Sequence, residues 1–114
     1  MTKRTFCRPL MAGLLLCLAG TGQAAETKAQ LNARGKAILQ DKCARCHSIE
    51  AGGDSPLAGA PPMRTIYRRF KEPELRAELS EGMVSRHKAM PQIVFSEDDV
   101  YAIMTYLYTL ATAK

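Results

Sequence analysis

The segment Cys43-Ala44-Arg45-Cys46-His47 places two cysteines three positions apart, with a histidine directly after the second. This spacing is the attachment signature of c-type haem. Residues three apart lie on one face of a helical turn, so both sulfur atoms can reach the two vinyl groups on one edge of a porphyrin. His47 then lies under the ring, where its imidazole can bind iron. The segment therefore predicts one haem c, attached through Cys43 and Cys46.

The first 24 residues have the pattern of a secretory signal peptide. A basic start is followed by the apolar run 10–20 and then by small residues. That run is about half of the ~20 residues that a membrane-spanning helix needs, which favours a cleaved signal over a membrane anchor. We expect cleavage after Ala24, with cleavage after Ala25 as the alternative. The mature protein would then contain no integral membrane segment.

Residues 25–114 are expected to form one small domain whose charge is nearly balanced. The whole chain has 16 basic and 11 acidic residues, a net charge of +5. Three of the basic residues lie in the signal, which leaves thirteen against eleven and a net charge of +2. This balance does not indicate binding to nucleic acid or to an anionic membrane. A domain of this size is marginally stable without a staple, and a covalently held porphyrin would supply part of its core.

The pattern of the mature chain predicts an all-α fold of about four helices around the haem. Apolar spacing and helix formers predict helices over 26–42, 63–70 and 73–81, and a last helix after Ser96. Gly and Pro are frequent between His47 and Met63, which indicates a loop. Ser96 is expected to cap the last helix. Its buried stripe is predicted to contain Val100, Ile103, Met104, Leu107, and Leu110 or Ala111.

The helix predicted over 63–70 is a candidate wall of the haem site. Its apolar residues recur at helical spacing, which is typical of a core and here also of a haem wall. They are Met63, Ile66, Tyr67 and Phe70. Its basic flank comprises Arg64, Arg68, Arg69 and Lys71. We expect most of this flank to be solvated and take Arg64 as the candidate that neutralises a haem propionate.

A second axial ligand must come from the methionines or from the second histidine. The candidates are Met63, Met83, His87, Met90 and Met104. Met104 falls on the buried stripe of the last helix, and Met63 is expected on the histidine side of the ring. Met90 is favoured because Pro91 stiffens the backbone behind it and removes an N–H donor. His87 keeps a bis-histidine site open, and an exchangeable sixth site is the other alternative.

With these features together, residues 28–110 resemble the class I cytochromes c, in particular the small bacterial monohaem proteins. The resemblance rests on the Cys-x-x-Cys-His segment, on Met90-Pro91, and on Tyr106-Leu107 in the last helix. It implies that the N- and C-terminal helices cross. The crossing would be at Gly35, eight residues before the first haem cysteine, against Ile103 and Tyr106.

The resemblance also implies a partner for the second ring nitrogen of His47. In this family a proline carbonyl accepts its hydrogen bond, which fixes the tautomer and orients the ring. The corresponding loop here is Ala60-Pro61-Pro62-Met63, in which the family has Gly-Pro-x-Leu. Pro61 is the best match, with Pro62 as the alternative.

The expected ligands favour an electron carrier over an enzyme. A thioether is a soft ligand that favours ferrous iron, so His47–Met90 ligation would raise the potential relative to a bis-histidine site. Six-coordinate iron leaves no position for O₂ or a substrate. The expected protein is a monomer that shuttles single electrons between periplasmic redox partners, docking with each of them transiently.

Three other functions are consistent with some of these features. A labile Met90 would expose the iron to peroxide or a gas, and the domain could instead be the electron-entry subunit of a larger dehydrogenase or oxidase. The third is a haem-free thiol pair, but a thioredoxin-like pair needs a preceding strand and a βαβ context. A zinc site would need further ligands near the two cysteines.

Overall fold

The computed structural model describes residues 24–82 and 89–113 of the chain. The proposed signal peptide lies outside the described residues except for Ala24, and so do Met83 and His87. The described part contains four helices and no strand, which confirms the predicted all-α fold. They are α1 (Lys28–Lys42), α2 (Met63–Arg69), α3 (Glu72–Glu81) and α4 (Glu97–Thr112).

The helix ends differ from the predicted ones by one or two residues, for reasons that are local. Helix α1 begins at Lys28 because Thr27 caps it and Gln30 closes a capping box, with Thr27 N–H donating to Gln30 Oε1 at 2.8 Å. Pro73 is the second residue of α3, in the first turn, where a missing N–H costs nothing. Ser96 caps α4 as predicted, accepting a hydrogen bond from Asp99 N–H at 3.2 Å.

Helices α1 and α4 cross at Gly35, as the resemblance implied. A Cβ built on Gly35 would lie 2.7 Å from the carbonyl carbon of Ala102 and 2.9 Å from Tyr106 Cβ. The nearest atoms at this position belong to the predicted partner Tyr106 and to Ala102, which precedes the other predicted partner, Ile103. Ile103 is instead fully buried in the core. The crossing has room only for a residue without a side chain.

The predicted stripe of α4 forms one wall of the core. Five of its residues are buried, namely Val100, Ile103, Met104, Leu107 and Leu110. Leu39 from α1 and Leu75 from α3 are fully buried against this cluster. The segment that connects α1 to α2 contains no helix. No helix in the described ranges is both long enough and apolar enough to cross a membrane.

Candidate functional site

The Cys-x-x-Cys-His segment forms a tight turn at the C-terminal end of α1. Cys43 is the C-cap residue of α1, and its N–H donates to Leu39 O at 2.8 Å. The N–H groups of Cys46 and His47 both donate to Cys43 O, at 3.1 and 2.9 Å. Both cysteines are free thiols and both are partly buried. The turn brings the two sulfurs and the imidazole to the wall of one cavity.

Pro61 orients the imidazole of His47. His47 Nδ1 lies 2.7 Å from Pro61 O. A carbonyl oxygen can only accept, so this contact requires the proton on Nδ1 and leaves the lone pair on Nε2. Metal-binding histidines commonly hold their second nitrogen in this way. The carbonyl that meets the ring is that of Pro61 and not that of Pro62.

Two apolar cavities lie beside His47. The larger, of about 260 Å³, is enclosed by the Cys-x-x-Cys-His turn and by residues 57–61 and 89–91. The smaller, of about 50 Å³, is enclosed by apolar side chains of α2, α3 and α4 and of the segment before α4. Four residues line both cavities, namely Cys43, His47, Met90 and Pro91. Both cysteines, His47 and Met90 therefore border the larger apolar cavity.

The methionines differ in their relation to these cavities. Met90 lines both cavities, and Met63 lines the smaller one. Met63 also donates its N–H to Ser48 O at 2.9 Å, which holds it beside the residue that follows His47. Met104 lines neither cavity and is buried in the core. Among the described methionines, Met90 and Met63 are thus the two that share a cavity with His47.

Arg64 and Tyr67 contact other parts of the protein. Arg64 donates from Nη1 to Glu50 O at 3.2 Å and from Nη2 to Gly53 O at 2.8 Å. The ring of Tyr67 packs edge-on against Tyr108, with centroids 6.4 Å apart. Neither Arg64 nor Tyr67 lines the two cavities beside His47. Their assignment to the haem site stays a prediction from the sequence.

Several residues of the site were not assigned to it from the sequence. Leu75 and Leu79 on α3 line the smaller cavity. Their spacing of four residues predicts that both are buried, but it does not predict which part of the protein they contact. Leu57 lines the larger cavity although it is 51% exposed, and nothing in a Gly- and Pro-rich loop marks it. Outside the two cavities, the hydroxyl of Tyr106 donates to Ile49 O at 2.9 Å, a contact between residues 57 positions apart that the sequence does not mark.

The thiol chemistry of the turn does not suit a redox-active cysteine pair. Burial, and to a lesser extent the neighbouring Cys46, raise the pKa of the Cys43 thiol to about 11. Reactive cysteines have a lowered pKa because the thiolate is the nucleophile. In the described ranges no group of three or more His, Cys, Asp or Glu side chains could hold a metal ion, so a zinc site gains no support either.

The family model described as Cytochrome c matches residues 32–111. The chain belongs to the cytochrome c family. Neither a search of curated proteins nor a search of solved structures found a match. Members of this family bind haem c covalently and are generally electron carriers. This cytochrome is accordingly an electron-transfer protein with a covalent haem c and its iron, and the Cys-x-x-Cys-His turn lies within the matched range.

The site residues of the cytochrome fit this cofactor. Two free thiols stand one helical turn apart, at the spacing that two vinyl groups require. The contact with Pro61 leaves Nε2 of His47 available for iron. The cavities beside the imidazole are bordered mainly by apolar side chains, which suits a porphyrin face.

Proposed function

We propose that this cytochrome is a one-electron carrier in which His47 and Met90 are the axial ligands of the haem iron. The observation that supports this most is that both residues line both apolar cavities, together with Cys43. When bound, the haem supplies an iron that alternates between the ferrous and ferric states. Cys43 and Cys46 hold the haem covalently.

The side chains around the haem would favour electron transfer over catalysis. Pro61 keeps the proton on Nδ1 of His47, so the ring presents Nε2 to the iron in both redox states. Met90 contributes a soft sulfur that favours ferrous iron, the ligation that raises the potential in cytochromes c. Met63 and its apolar neighbours in the smaller cavity would exclude water from a bound haem. If His47 and Met90 both hold the iron, no coordination position would remain for a substrate.

We further propose that the cytochrome is exported to the bacterial periplasm. Residues 1–24 would be the signal peptide and 25–114 the mature domain. Cytochrome c domains are commonly exported in bacteria, which supports this proposal. The mature protein would be a monomer with transient redox partners. Lys42 lies at the larger cavity and Arg45 is exposed beside it, so an acidic partner surface would be attracted there.

A surface of α4 favours a second candidate, electron entry within a larger complex. Tyr101 and Tyr108 are 53% and 51% exposed. Arg76 lies over the Tyr101 ring at 5.9 Å and Lys28 over the Tyr108 ring at 6.0 Å. Tyrosine and arginine are enriched in protein interfaces. Gel filtration of the cytochrome released from its native cells separates the two candidates, because a free carrier elutes at the mass of the single domain.

The Met90 assignment is tested by substituting the two methionines that share a cavity with His47. We expect Met90→Ala to abolish the near-infrared iron–sulfur charge-transfer band and to lower the reduction potential. Met63→Ala is the matched control and should keep the band, because that side chain only lines the cavity. Loss of the band in Met63→Ala or Met83→Ala, with the band kept in Met90→Ala, would show that the ligand is misassigned. High-spin wild-type haem that binds carbon monoxide rapidly would support the peroxidase or gas-binding alternative.

A further inference from the structure

Residues 48–53, here called the anchor loop, follow His47 directly and contain no helix. The guanidinium of Arg64 on α2 reaches this loop at two places. Nη1 donates to Glu50 O at 3.2 Å, and Nη2 donates to Gly53 O at 2.8 Å. One planar group thus joins two carbonyls that lie three residues apart. Both bonds are exposed, but the planar, charged guanidinium makes them together and so restrains the curvature of the loop at two points.

Two other helices contact the same loop. Tyr106 on α4 donates its hydroxyl to Ile49 O at 2.9 Å, in a buried position. Lys36 on α1 pairs with the Glu50 carboxylate at 3.0 Å, but both side chains are about half exposed, and such pairs contribute little. The anchor loop is therefore held at its backbone by Arg64 and Tyr106.

Ser48 transmits the position of the anchor loop to His47. Its N–H donates to Ser55 Oγ at 3.0 Å, and its carbonyl accepts from Met63 N–H at 2.9 Å. Ser48 is buried although it is polar. His47 shares a peptide bond with Ser48, so a shift of the loop would turn the imidazole away from Pro61 O.

We propose that Arg64 is a positioning residue that holds the anchor loop and thereby keeps the His47 imidazole directed at the iron. This inference rests on the proposed function, in which His47 is an axial ligand. It assigns the guanidinium to backbone carbonyls and not to a haem propionate. Both terminal nitrogens already donate to the loop, and Arg64 does not line the cavities beside His47.

The first test compares hydrogen exchange in the haem-loaded Arg64→Gln and Arg68→Gln variants. Arg68 is a matched control, because it lies on the same helix and also donates to a backbone carbonyl, that of Ala111 at 2.9 Å. In Arg64→Gln the amide protons of Ser48 and Met63 should exchange at least about tenfold faster than in the wild type. In Arg68→Gln they should exchange at the wild-type rate. Unchanged exchange of both amides in Arg64→Gln would overturn the proposal.

The second test separates a loop contact from a propionate contact by the pH profile of the reduction potential. If Arg64 paired with a propionate, its loss would raise the pKa of that carboxylate, and the potential would gain a new pH dependence near neutral pH. We expect instead that the profile of Arg64→Gln runs parallel to that of Arg68→Gln. A new titration present only in Arg64→Gln would overturn the proposal.

Two further variants keep the proposal testable if Arg64→Gln does not fold. Tyr106→Phe removes the hydrogen bond to Ile49 O in the anchor loop, and it should accelerate exchange of the same two amides without a new titration. Arg64→Lys keeps the charge but can reach only one of the two carbonyls, so its exchange should be intermediate. If the Ser48 and Met63 amides exchange at the wild-type rate in both variants, the proposal that the anchor loop positions His47 is contradicted. These rates do not depend on the identity of the sixth ligand, so failure of the Met90 assignment is seen separately, in the near-infrared spectrum.

Discussion

His47 has two ring nitrogens, and in the described residues Nδ1 makes a hydrogen bond. The 2.7 Å contact of Nδ1 with Pro61 O fixes the tautomer before any metal is bound. With His47 as the proposed iron ligand, a ring held in this way would rearrange little when the oxidation state changes. The sequence supplied the histidine and a choice of two prolines. The choice between them depended on the backbone path of residues 48–62, which Gly- and Pro-rich sequence does not determine.

Tyr106 joins the helix crossing to the loop that follows His47. Its Cβ lies against the Gly35 position, and its hydroxyl donates to Ile49 O. Burial, the largest effect, raises the pKa of the Tyr106 hydroxyl, and nearby Lys36 offsets this only in part. Ionisation would also remove the proton that the Ile49 carbonyl accepts. The side chain therefore stabilises the fold only while it is neutral.

We predict a loss of stability at high pH that depends on this hydroxyl. A group whose pKa is raised on folding contributes its full stability below its unfolded value, here 10.0, and loses it as the pH rises through the folded value. The free energy of unfolding in urea should thus decrease above pH 10. In Tyr106→Phe the decrease should be smaller, and stability at neutral pH should be lower by about 1–2 kcal/mol. Parallel curves for the two proteins above pH 10 would contradict this origin.

The crossing of α1 and α4 depends on a position without a side chain. An added Cβ at Gly35 would meet backbone atoms of Ala102, which cannot move aside as a flexible side chain would. A mid-helix glycine costs ~1 kcal/mol in helix propensity relative to alanine, so the close approach must outweigh that cost. The sequence alone left the role of Gly35 open, and the resemblance gave the crossing but named Ile103 where the nearest contact is Ala102.

We predict that Gly35→Ala destabilises the cytochrome by about 1–3 kcal/mol despite the better helix propensity of alanine. The measurement is urea unfolding of the haem-loaded protein, followed by circular dichroism. Gly52→Ala is the matched control, because a Cβ there would meet no atom within 4 Å and its φ is not positive. This control should change the free energy of unfolding by less than about 0.5 kcal/mol. Equal free energies of unfolding for Gly35→Ala and the wild type would show that α1 and α4 can move apart to accept the added Cβ without loss of stability.

The extents of the helices followed from the sequence because their signals are local. Ser96 and three acidic residues in the first turn mark the start of α4 in a few consecutive positions. Thr27 and Gln30 mark the start of α1 equally locally, and their capping box places this start two residues after the one that apolar spacing predicts. The contacts of Arg64 were not predictable in this way. They join α2 to carbonyls 11 and 14 positions earlier in the chain, and any carbonyl can accept such a bond.

In the part of the chain that the structure describes, a small core adjoins the two apolar cavities beside His47, which share Cys43, His47, Met90 and Pro91. Four helices of this length bury a modest number of large side chains, among which Leu39, Leu75, Ile103 and Leu107 are fully buried. The cavities beside His47 are lined largely by apolar side chains, including Leu, Ile, Met and Pro, which on the cavity side pack against no other side chain of the described residues. An attached porphyrin would therefore be a structural element as well as the redox centre.

The alkaline pyridine haemochrome spectrum of the exported cytochrome tests the central claim most directly, since it distinguishes haem with two, one or no thioether links. We predict the spectrum of haem with two thioether links for the wild type. Cys43→Ser or Cys46→Ser, in whatever yield it is recovered, should give the spectrum of one link. Intact protein without haem, recovered from a host competent in cytochrome maturation, or wild-type haem with both vinyl groups unreacted, would contradict the account.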